Sequence, residues 1–78
     1  MKKKRFTRKL EEIGLLIQNY RHIRKYTLQM LSKLTGISGR YLHSVENGRA
    51  NVTVLVLYKI FQALEIPESE LGCVLASW

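Results

Sequence analysis

The stretch from 36 to 49, GISGRYLHSVENGR, gathers Ser38, His43, Ser44 and Glu46, the residue types of a serine hydrolase. In such chemistry a histidine takes the proton of a serine hydroxyl while a carboxylate orients the imidazole. Helical spacing argues against that assembly, because side chains on a helix meet at i, i+3 or i+4. Ser38 and His43 stand five positions apart and diverge by about 140° at 3.6 residues per turn. Ser44 adjoins His43 in sequence and therefore points away from it. His43 and Glu46 can touch, but no G-x-S-x-G elbow accompanies them. His22, His43 and Cys73 are scattered without ligand spacing, so no metal site is expected. Catalysis is not expected either. The same segment, set on a short helix capped by Ser38, would instead present an outward row of side chains as a binding surface.

Positioning that row is the task of the elements around it. Leu10, Ile13, Ile17, Tyr20 and Ile23 recur at helical spacing and predict a first helix over about 8–25, preceded by a basic tail, 1–6. Thr27 is a suitable N-cap for a helix over 28–35, whose Leu28, Leu31 and Leu34 mark one face, and Gly36 suits its C-terminal stop. Ser38 caps a third helix over 39–47, with Leu42 and Val45 inward and Asn47-Gly48 ending it. Thr53 caps a fourth over 54–65, with Val54, Leu57, Ile60, Phe61 and Leu64 inward. The β-branched run Asn51–Tyr58 favours a strand by propensity, but the cap and the continuing 3.6-residue period predict helix. Pro67 suits the first position of a fifth helix over 67–72. The remaining residues, 73–78, form an apolar C-terminal tail. The fold class expected is all-α, one domain over 7–72.

Two of these helices carry a more specific constraint. A pair joined by a turn of three or four residues crosses steeply, and the crossing needs a small side chain on the first helix. Ser32 supplies it, Gly36 opens the turn, Ile37 plugs the corner, and Leu42 and Val45 anchor the second helix.

Composition narrows the partner. Lysine and arginine number 13 against six glutamates, for a net charge of +7. Residues 1–49 hold 12 basic and 3 acidic side chains (+9), and residues 50–78 hold 1 and 3 (−2), which sum to that +7. A basic front half joined to a mildly acidic back half points to a polyanion-binding face. A chain of 78 residues buries only roughly 60% of its unfolded surface, which leaves little room for a deep substrate pocket. The single cysteine, Cys73, allows no internal disulfide. With no signal-peptide pattern and no apolar run longer than Val54–Tyr58, the expected location is cytoplasmic, with no membrane contact.

YTLQMLSKLTGISGRYLHSVENGRANVTVLVLYKIFQALEIPESEL, with its TGIS, YL, ENG and ALEIP segments, resembles the Cro/repressor-type, or Xre, helix-turn-helix family. The likeness spans residues 13–71. It implies a five-helix, lambda-repressor-like DNA-binding domain, a homodimer on a pseudo-palindromic operator, no enzymatic activity and no cofactor. It makes the third helix the recognition helix, with Arg40, Ser44, His43 and Gly39 facing bases. Arg40 suits guanine, whose O6 and N7 match a guanidinium fork. Phosphate contacts would come from Ser38, Tyr41, Arg49, Asn51, Thr27, Gln29 and, in the basic tail, Lys3 and Lys4. The family's usual glutamine at the start of the second helix is replaced by Leu28, so Thr27 or Gln29 substitutes there or the contact is lost. Arg21 and Glu46 match a structural ion pair of the family.

Leu71, Val74, Leu75 and Trp78 either build the dimer contact or fold back on their own core. The regulatory reading is a repressor. Alternatives are an antitoxin, paired with a toxin, or a restriction–modification controller, each acting on its own operon. From a different class comes an adaptor that binds protein with the same fold.

Overall fold

The computed structural model describes the backbone of residues 2–76, and the side chains of residues 8–70 together with Gly72 and Cys73. Among the described residues the regular elements are helices: α1 (Lys2–Ile23), α2 (Leu28–Thr35), α3 (Gly39–Glu46), α4 (Val54–Leu64) and α5 (Glu68–Ala76). None of them is long and apolar enough to cross a membrane.

The starts of the three central helices are written in hydroxyl residues. Thr27, Ser38 and Thr53 all have extended backbone, and each side-chain oxygen accepts a bond from the N–H three residues on, at 3.1 Å. Each cap satisfies one of the donors that a helix start leaves open. Gly36, at φ 75°, ends α2 in the left-handed conformation, with its N–H on the Ser32 carbonyl. The β-branched start of α4 is helical, because its cap and its buried face outweigh propensity.

Two other helix ends lack the glycine that would announce them. After α1, Lys25 (φ 61°) bonds the His22 carbonyl and Tyr26 bonds that of Arg21. After α4, Glu65 (φ 56°) bonds Gln62 and Ile66 bonds Phe61. Both are Schellman closures, in which the second residue past the end packs inward. Here Ile66 is buried and Tyr26 is half-buried against the core.

The core is built from Ile13 and Ile17 of α1, Leu31 of α2, Leu42 and Val45 of α3, Leu57, Ile60, Phe61 and Leu64 of α4, and Ile66. Three residues expected inward are exposed: Ile23, Leu34 and Val54. A step of three residues turns about 300°, so a row built on threes drifts off the buried face. Leu34 and Val54 lie at such drifted positions, and Ile23 ends its helix. At its N-terminus α1 begins at Lys2, so the backbone of the basic stretch 2–6 continues the helix where a separate tail was expected. No proline or glycine interrupts that stretch. At the other end α5 runs to Ala76, past the expected stop at 72, because Gly72 remains in helical backbone.

The crossing that orients α3 is set by Gly14. A Cβ at Gly14 would stand 2.4 Å from the Val45 carbonyl oxygen and 2.5 Å from that of Glu46. The end of α3 thus rests directly on the backbone of α1. Two residues beyond, Gly48 (φ 69°) makes a similarly close approach to Glu11.

Candidate nucleic-acid interface

Two faces of α3 divide its labour. Leu42, Val45 and Glu46 are buried, while Arg40, His43 and Asn47 are exposed and Ser44 is half-buried beside them. The spacing 40, 43, 44, 47 is i, i+3, i+4, i+7, a continuous outer stripe. Asn47 belongs to that stripe although its sequence context reads only as a helix stop. Its side-chain amide donates to the His43 carbonyl at 2.9 Å and lies 3.3 Å from His43 Nε2.

The letters of a catalytic triad are separated. The Ser38 oxygen caps Tyr41, His43 sits against Asn47, and Glu46 faces inward to Arg21. Arg21 reaches from α1 with Nε 2.6 Å from Glu46 Oε2 and Nη2 3.1 Å from Oε1. Its third nitrogen, Nη1, donates to the Tyr26 carbonyl at 2.8 Å. One guanidinium therefore joins α1, the turn into α2 and the end of α3. Arg24 does a comparable service elsewhere, donating from Nε to the Leu64 carbonyl at 2.9 Å and so tying the ends of α1 and α4.

This arrangement has an electrostatic result. From Ile13 to Leu64 the sequence contains one carboxylate, Glu46. Glu46 is buried and neutralised by Arg21. Over that span Lys25, Lys33, Arg40, Arg49 and Lys59 are all exposed. The outer stripe of α3 and the turns on both sides of it thus present cations and hydrogen-bonding groups and no exposed acid of their own, the nearest exposed carboxylate being that of Glu11 on α1, against Gly48.

The phosphate candidates fall into distinct places. Thr27, Gln29, Ser38, Arg49 and Asn51 are exposed, the first two at the start of α2 and the last two in the loop after α3. Gly39 lies half-buried at the start of α3. Tyr41 packs its ring against the core, and its hydroxyl donates to the Asn51 carbonyl at 2.8 Å. In this arrangement the one hydroxyl proton is directed at the loop. Lys3 and Lys4, and Leu71, Val74, Leu75 and Trp78, lie outside the described side chains.

The family model described as helix-turn-helix matches residues 17–71. An uncharacterized HTH-type transcriptional regulator of Sinorhizobium fredii, y4dJ, is 38% identical over 59 residues, covering 76% of this chain and 77% of that protein. No solved structure matches the chain at comparable significance.

Proposed function

The chain belongs to the Xre-type helix-turn-helix family of DNA-binding transcriptional regulators, and we propose that it acts as a cytoplasmic, non-enzymatic repressor that binds a pseudo-palindromic operator as a homodimer. The observation that carries the reading is the acid-free outer stripe of α3, left so because Arg21 holds the lone carboxylate of the region inward. Arg40, Ser44, His43 and Gly39 meet base edges in the major groove, where the second helix of such a pair enters by its N-terminal part. Ser38, Thr27, Gln29, Arg49 and Asn51 contact the sugar–phosphate backbone, and Lys3 and Lys4 extend the positive charge along it. Phosphate contacts fix register, and base contacts choose sequence.

The second copy joins through α5 and the residues after it, where the sequence concentrates the apolar residues Leu71, Val74, Leu75 and Trp78. A two-fold dimer places two recognition helices on half-sites about one turn of duplex apart, ~34 Å. Selection of bound sequences from random duplex tests both claims. Recovery of an inverted repeat with that spacing supports them. Enrichment of no sequence over random duplex would remove the operator reading.

A further inference from the structure

Beyond Arg49 the chain leaves α3. Asn47, Gly48 and Arg49 still bond the carbonyls of His43, Val45 and Ser44, at 3.1, 3.1 and 2.9 Å. The next backbone bond along the chain is that of Leu57 to Thr53, inside the first turn of α4. Residues 50–52 are held between these anchors by partial burial of Ala50 and Val52 and by one hydrogen bond, from the Tyr41 hydroxyl to the Asn51 carbonyl. Arg49 and Asn51 are exposed on either side of Ala50.

Tyr41 stands on α3 three residues after its cap, with the ring seated against the core. Its oxygen is thus a fixed point carried by the recognition helix, and the loop is hung from it. We propose that Tyr41 is a positioning residue that sets where Arg49 and Asn51 meet the DNA backbone relative to the base-reading stripe of α3. The proposal rests on the DNA reading above and replaces a direct phosphate contact by Tyr41. The hydrogen bond is solvent-exposed and adds little to global stability. Its effect is on the loop, which without it samples arrangements that move both groups together.

Tyr41→Phe keeps the ring and removes the donor. Trypsin cleavage after Arg49, located by mass spectrometry, follows local opening of the loop and needs no DNA. In Tyr41→Phe it should accelerate about three- to tenfold, while the thermal midpoint moves by only a few degrees. Affinity for the selected duplex should fall by about the same factor, with a shallower salt dependence and unchanged base preference. A global loss of stability would leave the salt slope alone.

Combination with Arg49→Gln completes the test. If Tyr41 acts through the loop, its effect on affinity shrinks once Arg49 is gone, a non-additive cycle. Additive effects would show Tyr41 touching DNA independently and would overturn the proposal. So would unchanged cleavage at Arg49. A parent protein with no sequence-preferring duplex binding overturns the DNA reading and the positioning role with it, whereas faster cleavage in the variant still upholds the Tyr41 anchor of the loop.

Discussion

Arg21 grips Glu46 at two points, Nε to Oε2 and Nη2 to Oε1, across 25 positions of sequence. Their side chains are only 11% and 3% exposed. Planar, two-point pairing fixes direction as well as distance, so the end of α3 is locked to α1 in one orientation. The same pairing withdraws the only carboxylate between Ile13 and Leu64 from the surface. The orientation of the outer stripe and the inward turn of its carboxylate therefore share this contact.

Removing one partner leaves a buried charge without compensation. Arg21→Ala should lower the unfolding free energy by about 3–5 kcal/mol, read from urea denaturation. The double replacement Arg21→Met with Glu46→Leu should recover most of that loss, because apolar groups of similar volume need no pairing. A single variant with an unchanged midpoint would mean that the pair does not hold the fold.

Gly14 makes the second demand on the same crossing. With carbonyl oxygens of α3 at 2.4 and 2.5 Å from the position of a Cβ, Gly14→Ala must push α1 and α3 apart. Backbone atoms cannot swing aside as a flexible side chain does. Alanine normally favours a helix interior over glycine by about 1 kcal/mol; here the overpacking should reverse the sign and cost about 1–3 kcal/mol. Chemical denaturation of the variant decides it, and any gain in stability would contradict the close crossing.

What the sequence displays of this architecture follows the range of the interactions. The caps at Thr27, Ser38 and Thr53 act over three residues, and their chemistry is visible in the chain. The buried faces of α3 and α4 are visible as spacing. Lys25 and Glu65 close their helices without the glycine that would mark them, so the end of α1 is not announced. Gly14 reads as one more glycine in a helical pattern, and only the approach of α3 gives it a reason. Likewise the bond from the Tyr41 hydroxyl to the Asn51 carbonyl has no local signal, and only the fold of the loop brings the two together. Asn47 reads as a stop signal, although counting i, i+3, i+4, i+7 from Arg40 places it on the outer stripe. The pairing of Arg21 with Glu46 is long-range, and family resemblance, not local chemistry, made it readable.

Arg40 and Arg49 are both exposed arginines, one on the stripe and one in the loop, and their substitutions should separate base reading from backbone contact. Arg40→Ala should relax preference at one position of the selected site, by about 1–3 kcal/mol. Arg49→Ala should weaken all sequences alike and reduce the salt slope by about 1. Parallel titrations on matched, single-substituted and random duplexes at several salt concentrations give both quantities. Uniform weakening by Arg40→Ala would reassign it to phosphate.

Gly39 is the glycine the fold does not need. Its φ lies outside the left-handed region that Gly36 and Gly48 occupy, and a Cβ there would meet nothing within 4 Å. Gly39→Ala should therefore leave the thermal midpoint unchanged or raise it, by up to about 1 kcal/mol of helix preference. A glycine without a structural reason at the start of the recognition helix has a reason if DNA comes close to that backbone. The first N–H groups of a helix lack partners within it, and here the Ser38 oxygen answers that of Tyr41. An added methyl would keep an approaching duplex at a greater distance from the N–H groups before it. The expected result is a more stable or equally stable protein that binds the selected duplex about fivefold more weakly, a loss of about 1 kcal/mol. Undiminished affinity would assign readout at this end of α3 to Arg40 and Ser44 alone.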